Sequence, residues 1–236
     1  METQDASTEF LFKLWPWLEA NKNRLIWGGA AIVVIGIVYS FVAWQHEQNV
    51  ITAGEAFTQI AFAPANTLNA SQRADALAQL ATKYSGTEAG RRAQLQAAAT
   101  LFDAGNYADA QTQFQKFLDG SSGPLAASAA LGVAASLEAQ GKADQAATAY
   151  LKVTSSYSGT PADLQAEFSL GRLAEEQGKL ADAENYYDNA AHAGQAGGTL
   201  SEEAQGKAYE LKMKLAAAQK NNSVNLNNPN PVNLLK

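Results

Sequence analysis

Few residues in this chain have the type and spacing for bond-making chemistry. It has no Cys and only two His in 236 residues, which excludes thiol nucleophiles, disulfide frameworks and Cys-based zinc sites. Two His also leave little for a His-based metal centre. His192 falls at the end of an expected helix with no acidic or nucleophilic partner placed by the sequence, so it reads as a solvated cap near the C-terminal dipole. Glu175-Glu176 could suggest a pair of carboxylates, but adjacent helix positions point in different directions, so they read as a solvated face. Gly141-Lys142 and Gly178-Lys179 lack the upstream Gly and the following Ser or Thr of a phosphate loop. A net charge of −6 gives no basic footprint for nucleic acid. The expectation is a protein without catalytic residues, metal, cofactor, nucleic acid or small-molecule substrate. What remains is contact chemistry with membrane and with other proteins.

The elements that would position such contacts emerge from self-comparison. GNYADAQTQF at 105–114, GKADQAATAY at 141–150 and GKLADAENYY at 178–187 stack without gaps, at offsets of 36 and 37 residues. Each has Gly, then Ala at the sixth place (Ala110, Ala146, Ala183), then an aromatic at the tenth (Phe114, Tyr150, Tyr187). KYSGTEA at 83–89 and SYSGTPA at 156–162 repeat at the summed offset of 73. Each unit reads as helix-turn-helix: Gly105, Gly141 and Gly178 end a first helix where φ is positive, and a second begins two residues later. In the second echo Tyr84 or Tyr157 closes a helix, Gly86 or Gly159 turns the chain, and Thr87 or Thr160 caps the next helix. A capping box at Thr199 to Glu202 is expected to open a final, solvent-facing capping helix to about Lys220.

This pattern resembles the tetratricopeptide repeat, a helical hairpin of about 34 residues. The small residue of that family's first helix is matched by Ala98, Ala134 and Gly171, and the large one three places on by Leu101 and Leu137, with Ala174 departing in the third unit. The aromatic after the turn is present only as Tyr107, and the closing Pro is missing from its usual place. The resemblance implies a partner groove lined by the first helix of each unit, where Leu95, Leu131 and Phe168 take equivalent places and Phe102 extends the apolar row. The alternative is that these side chains pack against neighbouring helices. Positions that would clamp a terminal carboxylate hold Leu95 and Ala99 instead of Lys and Asn, which makes that ligand class doubtful.

Leu25 to Trp44 is a run of 20 residues without a charge, about 30 Å as a helix. Its ten Leu, Ile, Val and Phe residues favour insertion by about 3–6 kcal/mol. The run is longer than the apolar region of a cleaved signal, and Phe41 stands where a cleavage site needs a small residue, so an uncleaved single anchor is expected. Lys13, Lys22 and Arg24 precede it and no Lys or Arg follows until Arg73, which places the N-terminus in the cytoplasm and, in a bacterium, the repeats in the periplasm. Gly29, Gly36, Ser40 and Ala43 form a small face that can admit a second membrane helix, although glycine is also common in membrane helices. Pro16 is expected to interrupt any helix ahead of the span.

The expected fold is all-α. It comprises a cytoplasmic segment (1–24), one transmembrane helix (25–44), a membrane-proximal helix and loop (45–70), a tetratricopeptide-like solenoid with its capping helix (71–220) and a disordered Asn-rich tail (221–236). Taken end to end, with the stretch around Glu19, Asn21, Lys22 and Gly28, the chain resembles the YfgM-type ancillary subunits of the SecYEG translocon. That resemblance implies a single-pass inner-membrane protein whose partners are the translocon, a periplasmic folding factor or an emerging secreted chain. The other expectation is a cell-envelope scaffold for outer-membrane assembly or division.

Overall fold

The computed structural model describes residues 3–64, 67–120, 123–193 and 198–227, with side chains described between 15 and 221. Among these residues every regular element is an α-helix. The chain divides into two compact parts, one up to Gly54 and one from Glu55 onward.

The first part is carried by α1 (Thr3–Ala61). It is the one helix among the described residues long and apolar enough to cross a membrane. Ile26, Val33, Ile37 and Phe41 are all well exposed along it, as are Gly29, Gly36, Ser40 and Ala43. The helix runs through Pro16 rather than breaking there, because good helix formers on both sides outweigh one lost N–H bond. The described parts of the segments expected at 1–24, 25–44 and 45 onward are thus continuous in secondary structure from Thr3 to Ala61.

The second part is a series of antiparallel hairpins. After the end of α1 come α2 (Ala70–Lys83), then α3 (Glu88–Asp103) with α4 (Tyr107–Gly120), α5 (Pro124–Ala139) with α6 (Ala143–Ser156), and α7 (Pro161–Glu176) with α8 (Leu180–His192). Helix α9 (Thr199–Asn227) follows. Each helix from α2 on packs on its neighbours in sequence, and α3, α5, α7 and α9 also touch in succession, so the first helices form a continuous layer.

The turns follow from the glycines. Gly105, Gly141 and Gly178 have φ of +81°, +73° and +71°, a region costly for any residue with a Cβ. The N–H after each reaches back five residues, as in Lys142 N to the Leu137 carbonyl at 3.0 Å, while Gly141 N bonds the Glu138 carbonyl at 2.8 Å. This pair of bonds satisfies carbonyls the helix end would leave orphaned. Thr87 and Thr160 cap α3 and α7 by accepting from Gly90 N at 3.0 Å and Asp163 N at 3.3 Å. Of the two echo glycines only Gly159 has positive φ; the chain turns at Gly86 without it. Thr199 is the first residue of α9 and not its cap, since Glu202 N bonds the Gly198 carbonyl at 3.1 Å. The capping box lies elsewhere, at Asn69 and Gln72 before α2.

Side-chain size at repeated places sets the spacing of the hairpins. Ala110, Ala146 and Ala183 are 0% exposed, so each second helix approaches its partner with only a methyl between them. Phe114, Tyr150 and Tyr187, buried one turn on, fill the space beside them. Where Tyr187 passes α7, a Cβ on Gly171 would lie 2.8 Å from its ring. Helix α9 closes the series by burying Ala204, Ala208 and Leu211, the last two against Tyr187 and Ala183. Its Lys212, Lys214 and Lys220 are exposed, and it continues through residues 221–227 that the sequence reading assigns to the tail. The rest of the tail, with Val232 and Leu234, lies outside the described residues.

At the other end, Ala56, Phe57 and Ile60 pack on Leu77, Leu80, Ala81, Ala93 and Ala97. Arg73 fixes the end of α1. Its guanidinium donates to the carbonyls of Ile60 at 3.2 Å, Ala61 at 3.1 Å and Ala63 at 3.0 Å, at and just beyond the helix end where carbonyls lack helical donors.

Candidate protein-binding groove

The four residues expected to line the groove divide into two pairs. Phe102 and Leu131 line one cavity of about 190 Å³ over α3, α5 and α7, together with Ala99, Phe114, Gly132 and Ala135. Its polar members are Asp103, Ser128, Tyr150, Gln165 and Ser169. All four are half-buried and pack on buried clusters, Leu131 on that of Ala134, Leu137 and Leu170, but Leu95 and Phe168 do not line the cavity. Leu95 joins the cluster of Ala98, Ala110, Phe114, Phe117 and Ala129. Phe168 meets the Tyr187 ring edge-on at 5.2 Å between centroids.

Beside the apolar groups runs a polar ladder that the sequence reading did not find. Three residues before each turn glycine stand Phe102, Glu138 and Glu175, and twelve residues after each of these stands the hairpin's aromatic. In the second hairpin Tyr150 Oη donates to Glu138 Oε2 at 2.7 Å, and in the third Tyr187 Oη donates to Glu175 Oε2 at 3.1 Å. Each carboxylate then meets a cation from the next first helix. Arg172 of α7 pairs with Glu138 and also reaches Glu176 at 3.1 Å, while Lys207 of α9 lies 3.5 Å from Glu175. Glu175 and Glu176 are thus bonded groups and not a purely solvated face. Burial, with the Glu175 carboxylate beside it, pushes the Tyr187 phenol far above its ordinary value near 10, and burial raises Tyr150 as well. Both hydroxyls remain donors at neutral pH. The readable signal was a joint change: the aromatic is Tyr in those hairpins where the residue twelve earlier is Glu, and Phe where it is Phe102.

A second cavity, of about 380 Å³, is lined by Asp163, Glu167, Asn189 and His192 with Thr154, Ser155 and Ser158. Asp163 accepts from Gly159 N at 2.7 Å, which ties the turn to α7. Glu167 is raised above the ordinary carboxylate value, chiefly by burial, with Asn189 bonded to it at 3.5 Å. His192 is exposed, and its Nδ1 lies 2.7 Å from the Asp188 carbonyl at the close of α8. Among the described residues no three His, Asp or Glu converge as metal ligands.

Stacked helical hairpins with a continuous layer of first helices define an α-solenoid suited to protein–protein interaction. The chain belongs to the tetratricopeptide repeat-like domain family, whose profile matches residues 16–220. No curated protein matches it. Solved structures it is similar to include PcrH of Pseudomonas aeruginosa, 20% identical over 53% of this chain and 93% of that one, with a TM-score of 0.47. The type III secretion chaperone SycD of Yersinia enterocolitica, in complex with a peptide of the translocator YopD, is 22% identical over 51% and 91%, at 0.45. The MamA protein is 14% identical over 78% and 98%, at 0.48.

Proposed function

We propose that this protein is a non-enzymatic, membrane-anchored interaction module that holds a polypeptide against α3, α5 and α7. Its place would be as an ancillary subunit of the Sec translocon, linking it to periplasmic folding factors or to secreted chains as they emerge. The observation that carries the reading is the apolar cavity opened between three consecutive first helices, in a chain that also bears an apolar helix long enough to span a bilayer. The sequence resemblance to YfgM-type subunits supports the translocon as the partner. In this reading residues 1–24 are cytoplasmic, 25–44 cross the inner membrane, and the repeats are periplasmic, following the bases ahead of the span. The small face of Gly29, Gly36, Ser40 and Ala43 would contact membrane partners.

Photocrosslinking in cells tests this. Probes at Gly36 and Ser40 should yield translocon subunits, and probes at Phe102 and Leu131 should yield folding factors or nascent secreted chains. Adducts with division or outer-membrane assembly proteins would replace the translocon reading by that of an envelope scaffold. Absence of any polypeptide adduct from Phe102 and Leu131 would overturn the interaction module itself.

A further inference from the structure

The cavity lies beside the first hairpin, where the polar ladder is missing, with Tyr150 of the second hairpin also in its lining. In the second and third hairpins the place three before the turn glycine holds a carboxylate that binds a Tyr hydroxyl and a cation from the next first helix. In the first hairpin that place is Phe102, the aromatic is Phe114, and α5 presents Ala135 where α7 presents Arg172. No Glu–Arg pair can form at these places, and Asp103 is the one charged residue of the lining. Gly132 of α5 lets the Phe114 ring lie against the helix, since a Cβ there would fall 2.6 Å from it.

We propose that this gap is a specificity pocket for one large apolar side chain, phenylalanine, leucine or methionine, on an extended polypeptide segment with a lysine or arginine next to it. The inference rests on the groove reading above and names what the groove selects. Size supports it: an apolar cavity of about 150 Å³ holds a benzene ring, and this one measures about 190 Å³. Ser128 and Gln165, both exposed in its lining, can bond the backbone of a segment that crosses it, as an extended chain requires. Charge sets the flanking residue. Asp103 is exposed, is the one charged residue in the lining, and has no cation among the lining residues. A basic neighbour of the anchoring side chain is therefore favoured and an acidic one disfavoured.

Full-length protein in lipid nanodiscs, titrated with fluorescent Gly/Ser peptides, provides the test. The peptides carry one guest residue with Lys beside it, and empty nanodiscs report binding to lipid alone. Phe and Leu guests should bind about tenfold or more tighter than an Ala guest, and replacing the Lys by Glu should weaken them. Ala135→Phe fills the cavity and should remove the preference. Phe102→Glu combined with Phe114→Tyr and Ala135→Arg rebuilds the ladder of the later hairpins, and should remove the preference while the helical circular dichroism is retained. Equal affinity for Phe and Ala guests, a preference that survives in both variants, or binding matched by empty nanodiscs would overturn the pocket. If peptides bind without preference, the groove reading stands and only the pocket falls. If no peptide binds and no polypeptide crosslinks at Phe102 or Leu131, both fall.

Discussion

Tyr150 and Tyr187 occupy the same place in successive hairpins, and in both the hydroxyl ends on a carboxylate that a cation from the next helix also holds. The consequence for pH has a definite sign. A phenol whose pKa is raised on folding contributes stability that is complete below its unfolded value near 10 and is lost as pH rises beyond it. The urea midpoint should therefore fall between pH 9.5 and 11 more steeply for the native chain than for Tyr187→Phe. An equal slope in both would show that the phenol does not titrate differently on folding. Gly171 makes a steric prediction of the same locality. Its missing Cβ would meet a Tyr187 ring that is buried and tied to Glu175, so Gly171→Ala should destabilise by about 1–3 kcal/mol in denaturant titration.

Helix ends separate two kinds of glycine that look alike in the sequence. Gly141 has φ of +73° and closes α5 into its turn, so Gly141→Ala should lower the denaturation free energy by about 1–2 kcal/mol. Gly86 sits in the echoed YSGT element but without positive φ and with open space where a Cβ would go, so Gly86→Ala should change stability by less than about 0.5 kcal/mol. Comparable losses at both would contradict the turn geometry. The end of α1 depends instead on a distant side chain. Replacing Arg73 by Ala removes donors from three carbonyls, and amide exchange around residues 58–63 should quicken relative to α4 and α5.

Across the molecule the repeats behave as a nearly linear array, in which each hairpin is stabilised by its own packing and by its immediate neighbours. Leu211 of α9 is 1% exposed against the third hairpin. Leu211→Ala should cost about 2–5 kcal/mol locally and raise amide exchange in α7, α8 and α9 while leaving α2 and α3 little changed. Uniform loss of protection along all helices would mean that the array folds as one cooperative block. The candidate site follows the same linear logic, because it lies between two adjacent hairpins and one helix of the third.

The period, the turn glycines, the buried Ala and the threonine caps were legible because each is a local requirement: a φ, a cap or a close approach imposed on one residue type at a fixed interval. The apolar span was legible for the same reason, as a length without charge. The continuity of α1 through Pro16 and the capping role of Thr199 differ from the sequence expectation, since helix ends depend on competing bonds within a turn or two. The groove was only half legible. Leu95, Leu131 and Phe168 share a register and all pack on buried clusters, yet of the three Leu131 alone lines the cavity. The pairing of Glu138 with Arg172, 34 residues on, depends on how one first helix lies beside the next. Spacing along the chain therefore determined the hairpins, while lateral packing between hairpins decided where a carboxylate finds its cation and where Phe102 and Ala135 leave an apolar gap instead.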